Sequence, residues 1–229
     1  MIPYIYKPIL AQIGPVTIYT WGAIAALAFL AAYIFLIKTS KISKKHLENI
    51  FFIILVSSIP GSRLLYLIEF PPKTLFEIIK IWEGGLSLYG GVVLAIIASL
   101  IYIKYRKLKF MEYADAFTLP LVLGLIIGRI GCLVGDGGHL GKATGFFLGT
   151  LVDGVSYHYT ALYSIIALII IFIILSKLKQ RFICFLVLYP IARFLIDFAR
   201  ADPVYLGLTL AQYLSIVTFI MGLVLLKNK

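Results

Sequence analysis

The pattern of apolar and polar positions along the chain predicts membrane-spanning helices. Long runs that are nearly free of charge alternate with short Lys/Arg clusters and with Gly- or Pro-rich segments. A helix needs about 20 mostly apolar residues to cross the hydrocarbon core of a bilayer. Seven runs are close to this length, at about 16–37, 49–68, 86–103, 114–134, 159–176, 182–200 and 208–226.

Two segments between these runs are too polar to span. In the stretch 69–85, Pro71 and Pro72 are followed by apolar residues at helical spacing, a pattern typical of a short helix at the membrane surface. The stretch 135–158 is rich in glycine and predicts an irregular outer loop. No internal repeat of the inverted-transporter kind is visible. The sequence therefore predicts an all-α polytopic fold in which residues 1–229 form a single integral membrane domain.

Composition excludes the soluble and disordered classes of protein. The chain has 229 residues, of which 62% are hydrophobic and 14% charged, and its mean hydropathy is +1.02. Soluble domains average roughly 45–50% apolar and about 25% charged residues. The two cysteines, Cys132 and Cys184, both lie in apolar runs and predict neither a disulfide framework nor a metal site.

The basic residues predict the orientation in the membrane. The chain holds 21 Lys and Arg against 10 Asp and Glu, a net charge of +11. In a soluble protein this surplus would suggest nucleic acid, but here cytoplasmic loops that collect Lys and Arg explain it. With seven spans, 13 of the 21 basic residues fall on one side, between or after the spans. By the positive-inside rule, this asymmetry predicts an external N-terminus and a cytoplasmic C-terminus. The expected location is the plasma membrane.

Five charged residues lie inside or at the ends of the predicted spans: Arg63, Arg129, Arg193, Asp197 and Arg200. Each charge in hydrocarbon costs at least ~2.5 kcal/mol, so such residues usually mark a function or a buried partner. The topology places all five in the outer halves of their spans. Several guanidinium groups at one depth predict a bound anion, and a phosphate matches the planar donor fork of arginine.

Two interpretations without chemistry compete with this one. Arg193, Asp197 and Arg200 are spaced i, i+4, i+7 on one predicted helical face, so an intrahelical salt bridge alone would explain them. Arg63 would equally be explained by a side chain that reaches the outer headgroups.

The glycine-rich loop adds further candidates. Irregular backbone at membrane depth persists where it lines a cavity, and glycines let amides approach an anion. His139 and His158 lie in this outer region, and either could transfer protons near neutral pH, although loop histidines are more often solvated surface residues. Tyr89 lies at an outer boundary, where tyrosine is also common as an aromatic anchor. The sequence contains no Ser-His-Asp spacing, HExxH, Walker loop or CxxC. Hydrolysis by a metal or by a serine triad therefore has no support.

Several segments resemble those of the prolipoprotein diacylglyceryl transferase family, in the family's order. GRIGCLVGDGGHLGK (128–142) resembles the signature GRIGNFxNxExxG. The others are SRLLYLIEF (62–70), which resembles the arginine-containing second span, EGGLSLYGGVV (83–93) for GGxSxHGG, DAFTLPLVLGLIIGRIG (115–131) for the Asp…Pro…GRxG span, YHYTALY (157–163) for HPxQLYE, ARFLIDFARADP (192–203) for xRFxxEFxRxPD, and GLTLAQYLS (207–215) for GLSxGQxLS.

The resemblance implies a membrane enzyme without a cofactor or metal. The family transfers the diacylglyceryl group of phosphatidylglycerol to the lipobox cysteine thiol of a prolipoprotein, which forms a thioether and releases glycerol phosphate. The implied partners are an anionic phospholipid and a prolipoprotein signal peptide, with no nucleic acid. A non-catalytic relative that binds or moves anionic lipid is the alternative, and a small-solute transporter is a distant third.

The resemblance also implies site residues. Arg129 and Arg193 match family arginines regarded as essential, Asp197 stands at a family glutamate, Tyr89 at the family's histidine, and Cys132 at its signature asparagine. The predicted catalytic residues are Arg129, Arg193, Tyr89 and His139. The predicted phospholipid-binding residues are Arg63, Arg129, Arg193, Arg200, Asp197, Gly141 and Gln212.

Overall fold

The structure, a computed structural model, describes residues 1–14, 16–72, 74–78, 85 and 87–227. The helices in this part of the chain are α1 Thr20–Thr39, α2 Lys44–Glu69, α3 Leu88–Tyr105, α4 Phe110–Gly135, α5 Thr160–Ser176, α6 Arg181–Asp197 and α7 Leu210–Lys227. The strands are β1 Ile9–Ile13, β2 Val16–Tyr19, β3 Leu140–Ala143, β4 Thr150–Val152, β5 Val155–Tyr159, β6 Val204–Tyr205 and β7 Leu208–Thr209. The predicted, mostly helical architecture is confirmed.

Five of the described helices, α1, α2, α3, α4 and α7, are long and apolar enough to cross a membrane. The apolar helix α5 is shorter, at 17 residues, and α6 also has 17 residues and carries Pro190 inside it. Large apolar side chains such as Leu27 and Ile220 are more than half exposed along these helices. In a chain of this hydropathy, these exposed side chains fit the lipid environment of a multi-pass membrane protein.

The N-terminal segment departs from the predicted helix that starts at about residue 16. Strands β1 and β2 form an antiparallel hairpin that pairs Ile13 with Val16, and α1 begins only at Thr20. The run Val16-Thr17-Ile18 is β-branched, which favours an extended backbone over a helix. Apolar composition alone did not distinguish the two.

The two segments between spans have different outcomes. In the first, Leu75–Ile78 forms a short 3-10 helix, and most of the predicted surface helix lies outside the described residues. The stretch predicted as an irregular loop instead contains a three-stranded antiparallel sheet in the order β3-β5-β4. The N-terminal segment joins this sheet beside the edge strand β4, where the Ile2 N–H donates to the Gly149 carbonyl at 3.0 Å.

The chain divides into two compact units, one made of Met1–Leu36 with Ala114–Lys229 and the other of Ile37–Tyr113. The sequence-based prediction of a single domain stays a prediction. In the second unit α2 packs against α3 so closely that a Cβ on Gly61 would lie 2.5 Å from the Gly90 carbonyl oxygen. Small residues at such crossings are typical of helix pairs in membranes.

The core of the first unit lies between α4, α5 and α6. Its buried residues are Leu119, Val122, Leu168, Ile171, Leu175 and Phe185. One polar contact ties α4 to the start of α6, because the Phe182 N–H donates to Asp115 Oδ1 at 2.7 Å. That carboxylate satisfies one of the N–H groups that every helix leaves unpaired at its start. Two of these helices, α4 and α6, carry the charged side chains described next.

Candidate functional site

Two of the predicted arginines line one narrow cleft in the first unit. Arg129 comes from α4 and Arg193 from α6, and the remaining wall is largely apolar, with Leu125, Leu168 and Ile196 among its residues. Arg129 is half-buried and makes no hydrogen bond or ion pair within the described part of the chain. The structure thus brings together the two arginines that the sequence placed on separate spans.

Arg193 is held by an acid on its own helix. Its Nη2 lies 2.9 Å from Asp197 Oδ1, and Asp197 has no exposed side-chain surface. The ion pair predicted from the sequence is therefore present, although the angles at Oδ1 are not those of a hydrogen bond. The Nη1 atom of Arg193 is buried and has no hydrogen-bond partner among the described residues. A buried donor of this kind is costly unless something accepts its hydrogens.

Arg200 joins the same carboxylate from outside the helix. The prediction of one continuous helical face was wrong here, because α6 ends at Asp197. The turn that follows nevertheless brings Arg200 Nε to 3.5 Å from Asp197 Oδ1. Arg200 also donates to both carboxylate oxygens of Asp202, at 2.7 and 3.3 Å. Asp197 is therefore shared by two arginines, one of which has a second counterion.

The other oxygen of Asp197 connects the ion network to α7. Thr209 Oγ1 donates to Asp197 Oδ2. Thr209 also accepts the Gln212 N–H at 3.2 Å, while the Thr209 N–H donates to Gln212 Oε1 at 2.9 Å. This reciprocal pair is a capping box at the start of α7. Gln212 is 2% exposed, and its amide oxygen is engaged in this cap. Lipid binding by Gln212 stays a prediction.

The end of α4 folds back on itself and brings three polar side chains together. The Gly138 N–H donates to the Cys132 carbonyl at 2.8 Å. Gly137, Gly138 and His139 all have left-handed φ angles, of 64°, 73° and 49°, which turn the chain back toward the last helical turn. As a result one ligand atom each of Cys132, Asp136 and His139 lies within 4.8 Å of the others.

Nearby charges act on the His139 ring. Burial lowers the pKa of His139, and the positive charges of Arg200 and Arg129 lower it further, while Asp136 and Asp202 oppose them. On balance the surroundings of the ring lower the pKa of His139 and so favour its neutral form. Burial alone would raise the pKa of Asp202, but the hydrogen bonds and charge of Arg200 outweigh it and hold that pKa below its usual value. His139 and the ends of α4 and α6 thus share one electrostatic environment.

Gly141 lies where β3 meets the end of α6. The Lys142 N–H donates to the Ala199 carbonyl at 2.9 Å, and a Cβ on Gly141 would lie 2.0 Å from that carbonyl oxygen. Only glycine permits so close a backbone approach. The contact gives Gly141 a packing role, and its predicted part in lipid binding stays a prediction.

Gly141→Ala is expected to lower the stability of the protein by about 2 kcal/mol, because the new methyl group would force β3 away from the turn that follows α6. Thermal unfolding in detergent would measure the loss. Gly145→Ala is the matched control, since a Cβ there meets nothing within 4 Å. Equal unfolding midpoints for the two variants would contradict this packing role.

Two of the predicted residues belong to the second unit. Arg63 is buried, and its guanidinium donates from Nε to the Ile78 carbonyl at 3.2 Å and from Nη1 to the Gly85 carbonyl at 3.0 Å. It also lies 5.4 Å from the centre of the Tyr66 ring. Arg63 thus ties α2 to the segment that follows it. Tyr89 is in the first turn of α3 and about half exposed.

Sequence analysis missed three contributors to the site. Thr209 and Asp202 bond to residues that were predicted, and the Thr-x-x-Gln pattern of the capping box is visible in the sequence. Asp136 was missed because its contact with Cys132 and His139 depends on the left-handed turn. The i, i+4, i+7 spacing of these three residues was the available signal.

Comparison with known proteins gives a consistent result. The family described as prolipoprotein diacylglyceryl transferase matches residues 8–227. The chain is 33% identical over 246 residues to a Clostridium botulinum protein named phosphatidylglycerol–prolipoprotein diacylglyceryl transferase, covering 97% of this chain and 96% of that protein. Proteins of the same name from Finegoldia magna, at 32% identity with 90% and 88% covered, and Clostridium novyi, at 31% with 97% and 98% covered, are also similar.

Proposed function

The chain belongs to the prolipoprotein diacylglyceryl transferase family, and we propose that it transfers the diacylglyceryl group of phosphatidylglycerol to the lipobox cysteine thiol of a prolipoprotein. It is a transferase and a multi-pass membrane protein. The thioether product and the released glycerol phosphate are part of the proposal. The choice of phosphatidylglycerol among the anionic phospholipids is also part of the proposal.

The observation that carries the proposal is the pair of incompletely satisfied arginines in one cleft. Arg129 has no charged or hydrogen-bonding partner in the described chain, and Arg193 leaves its buried Nη1 without an acceptor. Both line the cleft between α4, α5 and α6. A phosphodiester supplies the negative charge and the acceptor oxygens that these groups lack. The apolar wall suits the start of the acyl chains.

The acids around the cleft position the arginines. The Asp197 carboxylate holds the Arg193 guanidinium by an ion pair, and Thr209 holds Asp197 by a hydrogen bond. Arg200 has Asp202 as a second counterion, so Asp197 does not have to neutralise Arg193 and Arg200 alone. A rigid, pre-oriented set of donors stabilises developing charge without reorganisation during the reaction.

In the proposed step the thiolate of the acceptor cysteine attacks the glyceryl carbon that bears the phosphate. A C–S bond forms, the C–O bond breaks, and glycerol phosphate leaves with the electron pair. Negative charge grows on the leaving phosphate, where Arg129 and Arg193 stabilise it. Tyr89 and His139 complete the proposed catalytic set. Tyr89 enters this set on the resemblance of its segment alone, and Arg63 belongs to the proposed phospholipid-binding residues.

The proposed orientation has seven spans with the N-terminus outside. Thirteen of the 21 basic residues lie between or after the runs on the side that this arrangement makes cytoplasmic. Arg129, Arg193 and Arg200 then lie toward the outer leaflet of the plasma membrane.

The test uses purified full-length protein in vesicles of phosphatidylglycerol with a synthetic lipobox peptide. Mass spectrometry is expected to find the peptide heavier by one diacylglyceryl group, and glycerol phosphate in equal amount. A peptide with serine in place of the cysteine is the control and gains no mass. Absence of the adduct with several anionic lipids and peptides would contradict the proposal and favour a relative that only binds or moves lipid.

A further inference from the structure

The cluster at the end of α4 combines three different metal-ligating groups. Cys132 offers a thiolate, Asp136 a carboxylate and His139 an imidazole, and the ligand atoms lie within 4.8 Å of one another. His139 Nε2 is 3.6 Å from Asp136 Oδ2. The left-handed turn through Gly137 and Gly138 creates this arrangement. The phosphate cleft and the capping box use none of these three side chains, and only His139 belongs to the proposed catalytic set.

We propose that Cys132, Asp136 and His139 bind a zinc ion whose open fourth position takes the acceptor thiol of the prolipoprotein. The inference rests on the proposed function, since it assigns this cluster a role in the same reaction. Mixed sulfur, nitrogen and oxygen ligands suit Zn²⁺. Three protein ligands with one open position are typical of catalytic rather than structural zinc.

The distances and burial fit such a site. Bond lengths of about 2.0–2.3 Å to zinc place tetrahedral ligand atoms about 3.5 Å apart. The His139–Asp136 pair, at 3.6 Å, already has this spacing, and since all three ligand atoms lie within 4.8 Å of one another, the remaining pairs need to close by no more than about 1.3 Å. Cys132 is 9% exposed, whereas the Asp136 side chain is 59% exposed. The cluster is therefore anchored on the helix and open on the side where a peptide can approach.

The charge balance also fits. A thiolate and a carboxylate offset the two positive charges of the ion, so the occupied site would add no net charge beside Arg129 and Arg200. Cys132 follows Arg129 by three residues on α4, which places the two on one side of the helix within a single turn. A thiol held at the cluster would thus be delivered close to the phosphate-binding arginine.

The bound ion would convert the acceptor thiol into the thiolate that the reaction needs. The acceptor thiol loses its proton to water as its sulfur binds the metal, because a coordinating thiol is deprotonated outright. The sulfur then attacks the glyceryl carbon, the C–O bond breaks, and glycerol phosphate leaves with the electron pair. The thioether carries no charge and is a poorer ligand than a thiolate, so it dissociates and frees the fourth position.

The binding experiment titrates metal-stripped full-length protein with Co²⁺, which occupies zinc sites and shows absorption from thiolate-to-metal charge transfer. Wild-type protein and Cys184→Ser are expected to bind with equal intensity, because Cys184 lies on α6 and outside the cluster. Cys132→Ser is expected to abolish the band, and Asp136→Asn, at an exposed position, to weaken binding at least 10-fold. A missing band in wild-type protein, or a band retained in Cys132→Ser, would overturn the proposal.

The transfer assay separates this inference from the proposed function. Metal-free protein is expected to transfer about 10- to 30-fold more slowly than protein reloaded with Zn²⁺, because a thiol with a pKa near 8.5 is only about 3% ionised at pH 7. Equal rates with and without zinc would overturn the zinc role while leaving the transferase intact. No transfer in either form would contradict the proposed function and the thiol-activating role, whatever the Co²⁺ spectrum shows.

Discussion

Arg129→Ala is expected to lower the rate of diacylglyceryl transfer roughly 10³-fold, the scale seen when one pre-oriented donor to a developing anion is removed. Arg129 lines the cleft with Arg193 and has no partner of its own among the described residues. Its loss therefore removes charge stabilisation from the leaving phosphate without breaking a contact of the fold. Initial rates of adduct formation measure the effect.

The stability of this variant makes the prediction sharper. Thermal unfolding should be unchanged or slightly raised, because the substitution removes a half-buried charge that the protein leaves unpaired. Arg129→Lys should recover part of the rate, since it restores the charge but not the planar fork. Lys142→Ala removes a positive charge from the exposed surface of β3 and is the matched control. Transfer by Arg129→Ala at the wild-type rate would exclude the phosphate site.

Asp197→Asn is expected to destabilise the protein by about 3–5 kcal/mol, the cost of breaking a buried ion pair on one side. Asp197 is 1% exposed and lies within 4 Å of both Arg193 and Arg200. Without its charge the two guanidinium groups repel each other. Transfer should fall together with the unfolding midpoint, because Arg193 loses the contact that orients it.

Asp202→Asn is the control for the loss of stability expected of Asp197→Asn. Asp202 pairs with Arg200 alone among these arginines and its side chain is 38% exposed, so its neutralisation should cost no more than about 1 kcal/mol. Asp197→Glu keeps the charge and should recover most of the stability. Similar small losses for Asp197→Asn and Asp202→Asn would mean that the buried carboxylate does not organise the site.

The sequence predicted those parts of the site that follow from the energetic cost of charge in an apolar run. Arg129, Arg193 and Asp197 are conspicuous because a membrane helix rarely carries such residues without a reason, and their meeting required only that the spans pack together. Arg200 was placed on the wrong element because the sequence does not show that α6 ends at Asp197. Its ion pair survives, since three residues of turn cover nearly the same distance as a helical turn.

The segments between the helices were harder to predict because short strands have weak sequence signals. The sheet at 140–159 is built from strands of three to five residues between glycines, which composition alone describes as loop. The contact between His139 and Cys132 depends on three consecutive left-handed residues, one of them not glycine. Backbone conformations of that kind are set by tertiary contacts and have no periodic signal.

The hydrogen bond from the Phe182 N–H to Asp115 has a consequence for biogenesis. Helix α6 has only 17 residues, contains a proline, and ends in charged side chains, so it is poorly suited to enter lipid unassisted. Its first turn relies on a carboxylate from α4, and α4 is synthesised earlier. We expect α6 to integrate stably only after α4 is in place. Asp115→Ala should therefore leave α6 accessible to glycosylation or protease mapping as a misinserted segment, even though Asp115 is remote from the chemistry.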